Sequence, residues 1–303
     1  MSLIIAKFGG TSVANVRRIE RCISIIKKLS THHQIVVVVS AAFNTTNKLQ
    51  EQLDHFDSMS PTSFHDLVLA SGEQITVGLF SLMLQKHGFK PKAFLGYQVP
   101  IMTTDVPTQA DIIDIPKEKL SASLKAGFIP VVAGFQGVSK DGVITTLGRG
   151  GSDVTAVTLA HYLSADECQI YSDVEGVYTS DPNVISTAKR LSHLTYDEMF
   201  HLSKCGAKVL QDKAAHVALE KNVNVRLLSS FVDSAGTVLT KDIQTPSRFA
   251  SLFLKDRTTG YMVGKNISSL DIAGTTISNT VVQIDLNAQD PKELHDQLVK
   301  AGQ

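Results

Sequence analysis

Short apolar runs alternate along this chain with stretches in which apolar residues recur every three or four positions. Leu3–Phe8 predicts a strand, and Val16, Ile19, Ile23 and Ile26 predict a helix after it. His32 and His33 break that pattern before the β-branched run Ile35–Val39, which predicts a buried strand. Thr62 to Gln85 predicts a long helix interrupted at Gly72, and Phe94–Leu95 and Ile101–Met102 are weaker strand candidates. Phe128–Ala133 predicts another buried strand. A helix rich in small residues follows over Asp153–Leu163, then a short strand over Cys168–Tyr171. Tyr196 to Glu220 predicts mostly helix, and Val223–Leu228 a further strand. Near-continuous hydrophobic strands separated by helices predict an α/β fold whose mostly parallel sheet is covered on both faces.

The pattern changes near Thr245-Pro246. Apolar and polar positions then alternate over Thr280–Leu286, and Asp290, Pro291 and Glu293 read as the N-cap, N1 and N3 positions of a final helix. The expected organisation is one α/β domain over residues 1–244 and a small α+β module over 245–303.

Two glycine-rich loops punctuate the first domain. Lys7-Phe8-Gly9-Gly10-Thr11-Ser12 follows the first strand, and Gly148-Arg149-Gly150-Gly151-Ser152-Asp153 follows Val143–Thr146. Glycine pairs let backbone N–H groups approach an anion with no Cβ in the way. A helix beginning just after such a loop adds unpaired N–H groups and a positive dipole end. Two such loops suggest two anionic groups held close together. Ligands of parallel sheets sit beyond the carboxyl ends of the strands, where Lys7, Ser40, Gly134 and Asp173 all fall. Neither loop fits the Walker or dinucleotide-binding pattern. A lysine at the end of a strand can still meet phosphate oxygens as a point charge. Asp173 is placed to orient a ribose or an adenine edge, and Tyr178 to line a base pocket.

Charge and cysteine content narrow the classes. The 303 residues carry 29 Lys and Arg against 29 Asp and Glu, so no basic footprint points to nucleic acid or to an anionic membrane. The longest apolar run, Ile35–Val39, is far short of a bilayer span, and no signal peptide is read at the start. Cys22, Cys168 and Cys205 are widely spaced and read as reduced thiols of a cytoplasmic protein. The histidines show no metal-ligand spacing, and no metal site is assigned.

Taken together, KFGGTS at 7–12, VVSA at 38–41, ASGEQ at 70–74, TLGRGGSD at 146–153, YSDVEGVYTSDP at 171–182 and YDEMFHLSKCGAKVL at 196–210 resemble the amino-acid kinase family, and within it the aspartokinases. The resemblance implies a three-layer amino-acid kinase fold with an ACT-like C-terminal module. It implies transfer of the γ-phosphoryl group of ATP, with Mg²⁺, to the β-carboxylate of L-aspartate, a first step of amino-acid biosynthesis. It also gives the residues roles. Lys7 and Lys208 neutralise the transferring phosphoryl group, Gly9 and Gly10 donate backbone N–H groups to it, and Asp153 organises the lysines. Arg149 holds the substrate α-carboxylate, with Gly150 and Ser152 beside it. Glu73 accepts the substrate ammonium, and Ser40 and Thr46 contribute hydroxyls. Ser172, Asp173 and Tyr178 belong to the nucleotide site.

The chain departs from the family in places. Phe43 stands where members have a small residue, Asn183 where they have arginine, and Gln211-Asp212-Lys213 where they have His-Pro-Arg. Phe43 motivates an alternative acceptor, another amino acid or small carboxylate. Asn183 and the 211–213 segment motivate a non-catalytic nucleotide-binding homologue. The segment after Thr245 is too short for the paired ACT modules of typical members, so feedback by lysine or threonine at a paired-ACT interface is not expected. A homodimer formed through that segment is expected, since apolar strand edges need partners.

Overall fold

The computed structural model describes residues 1–56, 60–244, 248–269, 274–287 and 290–301. The domain boundary read at Thr245-Pro246 lies outside the described residues. The chain forms two compact units. One comprises Met1–Asp173, Val223–Val225 and Ser229–Asp233; the other comprises Val174–Asn222, Arg226–Leu228 and Ser234–Gln303.

The first unit contains β1 (Ser2–Phe8), α1 (Val16–Leu29), β2 (His33–Val39), α2 (Thr45–Leu53), α3 (Ser63–Leu69), α4 (Ser71–Lys86), β3 (Pro91–Phe94), β4 (Met102–Thr103), β5 (Ile112–Asp114), α5 (Glu118–Lys125), β6 (Ile129–Ala133), β7 (Gln136–Val138), β8 (Ile144–Thr146), α6 (Gly151–Tyr162) and β9 (Glu167–Ser172). Its main sheet runs β9-β1-β2-β6-β3 with every pair parallel, as the continuous apolar runs predict. The interior of β2 is fully enclosed: Val36, Val37, Val38 and Val39 have no exposed surface. Helices α1, α4, α5 and α6 pack on these strands. A smaller sheet, β5-β4-β7-β8, carries the chain into the second glycine loop.

Helix α1 shows how local sequence sets an element. Asn15 caps it by accepting from the Arg18 N–H at 3.0 Å, and Lys27 and Lys28 sit in its last turn, where the dipole favours cations. Its apolar positions Ile19, Cys22, Ile23 and Ile26 are the buried ones. The long helix expected over 62–85 is two helices that meet at Ala70, not at Gly72. Gly72 sits inside α4, where a Cβ would come 2.8 Å from the Ala41 Cβ. It is therefore a close-packing glycine and not a break. By length and composition the stretch Ser63–Lys86 is apolar enough to cross a membrane, yet half of it is buried within this protein.

The second unit contains β10 (His193–Thr195), α7 (Tyr196–Cys205), α8 (Asp212–Lys221), most of β11 (Val225–Ser229), β12 (Thr237–Thr240), β13 (Ser251–Leu254), β14 (Thr259–Val263), β15 (Thr275–Thr276), β16 (Val281–Asp285) and α9 (Pro291–Ala301). The expected small α+β module is an antiparallel sheet, β13-β14-β16-β15, with α9. Leu252, Met262, Val282, Ile284, Leu294 and Leu298 form its buried core. Asp290 caps α9 by accepting from the Lys292 N–H at 2.7 Å. The helix expected over 196–220 is interrupted: Gly206 takes φ +116° and ends α7, and α8 begins only at Asp212.

Candidate active site

Register places the candidate residues on one edge of the parallel sheet. Phe8 lies opposite both Val39 and Tyr171, and Val39 lies opposite Ala133. The residues just past these four therefore leave the sheet at one level. The ladder continues one rung beyond, with the Gly9 N–H donating to the Tyr171 carbonyl at 3.0 Å, Ser40 to Phe8 at 3.2 Å and Gly134 to Val39 at 3.0 Å. Phe8 stacks on Tyr171 with ring centroids 5.0 Å apart and lies 5.5 Å from the Phe80 ring of α4.

Lys7 is the penultimate residue of β1, and its ammonium lies 2.5 Å from Asp153 Oδ1. Both side chains are about nine-tenths buried. Asp153 sits in the first turn of α6, where the helix dipole favours a carboxylate. Gly150 caps that helix in the left-handed conformation (φ +72°) and Gly148 takes φ +74°, so the chain bends sharply on both sides of Arg149. The second loop runs directly into its helix, as expected. The first does not: α1 begins only at Val16, after a turn stapled by the Ser12 and Val13 N–H groups to the Gly9 carbonyl. The helix end meets the sheet edge closely, since a Cβ on Gly134 would lie 2.7 Å from Ser152 Oγ.

Glu73 rises from α4 and is almost completely buried. Its Oε1 accepts from the Ala41 N–H at 2.8 Å, fixing the loop after Ser40, while its Oε2 is buried with no hydrogen-bond partner. Burial pushes its carboxyl up to about 8, against the smaller opposing effect of the Ala41 N–H. The Phe43 N–H donates to the Gly10 carbonyl at 3.0 Å, so the first glycine loop and the Ser40–Phe43 loop are joined. The Phe43 side chain is two-thirds exposed.

The structure thus gathers Lys7, Gly9, Gly10, Ser40, Glu73, Gly150, Ser152 and Asp153 around one sheet edge. Arg149 stands on the same loop and is exposed. Ser172 ends β9 at that edge, and Asp173 just beyond it is exposed. Thr46 lies in the first turn of α2, half-buried. Tyr178 and Lys208 belong to the second unit. Tyr178 is half-buried and bridges Arg190. Lys208 is exposed, three residues beyond the last residue of α7 and not at its end, because Gly206 turns the chain first. Cys22 and Cys168 are buried free thiols and Cys205 is a half-buried one; burial pushes Cys22 up to about 12.

Asp66 was not legible as a functional residue. It is 1% exposed, yet its Oδ1 accepts from the Thr108 N–H at 2.9 Å, the Thr146 N–H at 3.0 Å and the Thr146 hydroxyl at 2.5 Å. The available signal was its spacing, seven residues before Glu73 within an otherwise apolar stretch.

Comparison with known proteins gives the family. Residues 2–229 match the amino acid kinase family. This chain belongs to that family. An aspartate kinase of Pseudomonas fluorescens (strain SBW25) is 46% identical over 245 residues, covering 80% of this chain and 59% of the relative. An aspartokinase of Pseudomonas aeruginosa is 46% identical over 248 residues, covering 82% of this chain and 60% of the relative. The chain therefore spans about 60% of the length of these relatives. The crystal structure of an aspartate kinase from Synechocystis superposes with a TM-score of 0.71 at 37% identity, covering 80% of this chain and 40% of that one. An E. coli aspartokinase III bound to aspartate and ADP shares the fold, with a TM-score of 0.74 at 24% identity over 98% of this family member and 83% of that chain.

Proposed function

We propose that this chain transfers the γ-phosphoryl group of ATP to the β-carboxylate of L-aspartate. The observation that carries the reading is the buried Lys7–Asp153 pair at the carboxyl edge of the sheet, flanked by both glycine loops. The names of the relatives, and the aspartate and ADP held by a neighbour of the same fold, support it.

The chemistry asks for little proton transfer. A carboxylate nucleophile is ionised at neutral pH and needs no general base. A β-carboxylate oxygen bonds to the γ-phosphorus, the bond from that phosphorus to the bridging oxygen breaks, and ADP leaves as the products 4-phospho-L-aspartate and ADP form. The obstacle is repulsion between two anions, so catalysis rests on positioning and on fixed positive charge. Lys7 is held by Asp153 at the strand end, the Gly9 and Gly10 backbone and the α6 N-terminus supply dipoles, and Lys208 adds a second cation. Arg149 offers a bidentate fork to the α-carboxylate. The buried, unpartnered Oε2 of Glu73 suits an ammonium group.

Among the described residues no group of three or more His, Cys, Asp or Glu could hold a metal ion. Mg²⁺ would come with ATP, held chiefly by the nucleotide phosphates and water. We read the protein as cytoplasmic and homodimeric, with the outer strands of the β13-β14-β16-β15 sheet as the self-pairing edges.

The test is ATP turnover with Mg²⁺ in the presence and absence of L-aspartate, trapping the acyl phosphate as hydroxamate. Aspartate-dependent hydroxamate is expected. Turnover that needs a different carboxylate, or ATP binding with no hydroxamate from any amino acid, overturns the assignment.

A further inference from the structure

Two buried carboxylates seven residues apart on the α3–α4 stretch each hold a backbone segment of the candidate site. Glu73 fixes the loop after β2 through the Ala41 N–H. Asp66 holds two other segments through three hydrogen bonds from Thr108 and Thr146. Thr146 ends β8, and Gly148-Arg149-Gly150 follows two residues later. Thr108 adopts φ +61°, the left-handed region that a β-branched residue rarely enters. Its N–H points to Asp66, and its neighbours lie against the glycine loop. The Ala110 N–H donates to the Thr146 carbonyl at 2.9 Å, and a Cβ on Gly148 would lie 2.7 Å from Gln109 Oε1. Strain of this kind persists where surrounding contacts over-determine it, and such places cluster at functional sites.

We propose that Asp66 is a positioning residue: its carboxylate locks Thr108 and Thr146 together and so sets the backbone that presents Arg149 to the acceptor amino acid. The role of Arg149 in that sentence rests on the function proposed above. The geometry separates Asp66 from an ordinary buried acid. All three bonds go to one oxygen and converge on the two strands of chain next to the glycine loop, while the other oxygen, Oδ2, is buried with no hydrogen-bond partner. Asp66 on α3 and Glu73 on α4, helices that meet at Ala70, tie the two sides of the proposed acceptor site to adjoining supports. The spacing between a bound α-carboxylate and a bound ammonium is then set by the helices and not by the loops. The role predicts selectivity among amino acids, with nucleotide binding left alone.

The experiment compares wild type with Asp66→Ala, Asp66→Asn and Asp66→Ala/Thr108→Gly. Losing hydrogen bonds to a charged group is expected to raise KM for L-aspartate by about tenfold or more in Asp66→Ala, with KM for ATP within about twofold. Asp66→Asn keeps an acceptor oxygen and should recover most of that loss. Thr108→Gly removes the need to hold a left-handed threonine and should recover part of it. Equal changes in both KM values, or an unchanged KM for aspartate with a lower Tm, would overturn the proposal and leave Asp66 a core residue. Amide exchange is read on the same proteins without substrate. Faster exchange of residues 106–110 and 146–151 is expected in Asp66→Ala or, if that variant does not fold, in Asp66→Ala/Thr108→Gly. Unchanged exchange there overturns the proposal even if the chain proves to phosphorylate something other than aspartate.

Discussion

The sheet edge of the first unit and the glycine-interrupted segment of the second each carry a lysine to which the proposed function gives a phosphoryl role, and they hold it in opposite ways. Lys7 is locked between a strand end and Asp153, nine-tenths buried. Lys208 lies exposed between α7 and α8, after a glycine at φ +116°. A charge in the first setting is costly to bury and is stable only because its partner is in place. A charge in the second costs nothing to hold and is free to reorient. Catalytic charge can therefore be built into the fold or carried beside it, and only the first kind makes function and stability inseparable.

The sharpest way to break this contrast is to remove each lysine. Lys7→Ala is expected to lower kcat by about a thousandfold and to destabilise the fold by about 3–5 kcal/mol, because Asp153 is left buried and unpaired. Denaturant unfolding and hydroxamate assays on one preparation check both. Lys208→Ala is expected to lower kcat by about a hundredfold with an unchanged Tm, as befits an exposed side chain. A fall in Tm as large as that of the Lys7 variant would erase the distinction.

Glu73 sharpens the comparison through pH. Its carboxyl stands near 8 in the fold and near 4.5 when unfolded. Between those values the folded chain holds a proton that the unfolded chain has released, so this group makes folding less favourable as pH rises through the window. An ammonium ligand favours the ionised form, so below about pH 8 binding expels a proton. Affinity for aspartate should then rise by about tenfold per pH unit at most and level off above that point. Calorimetry in buffers of different ionisation enthalpy should record proton release for wild type and none from this group for Glu73→Gln, whose affinity should be lower and flat across the window. The smallest effect belongs to Phe43. Its side chain is two-thirds exposed, so Phe43→Gly should leave Tm nearly unchanged and shift the ratio of kcat/KM for aspartate over larger amino acids by a few-fold. Light scattering after size exclusion should give a dimer mass; a monomer at micromolar concentration would remove the proposed edge pairing.

Much of the first unit was legible from the chain because its strands are enclosed on both faces. A continuous run such as Ile35–Val39 has few other places to go, and the residue after it had to emerge at the ligand edge. Helix interruptions were less legible, since they depend on tertiary contact. Gly72 looks like a break in sequence and is a packing glycine in space, because Ala41 presses on it from a distant loop. Asp66 escaped notice for a related reason. Its partners lie 42 and 80 positions away in sequence, and its spacing from Glu73 does not say which distant segments it joins. Strands β4, β5 and β7 have two or three residues each, too few for periodicity to register. Of the small sheet they form, only the weak candidate Ile101–Met102, which overlaps β4, and the entry into the glycine loop were read from the chain.

Helix α6 is walled in by protein from Gly151 to Ala160. Mobile ions reach neither its flanks nor most of its length, so the positive potential at its N-terminus is screened far less than that of a surface charge. Exposed Arg149 and Lys208 have no such shelter. If the proposed roles hold, raising the ionic strength should weaken capture of the free acceptor by Arg149 well before it weakens the hold of Lys7 and the α6 N-terminus on a phosphoryl group. The protein would lose appetite before it loses grip.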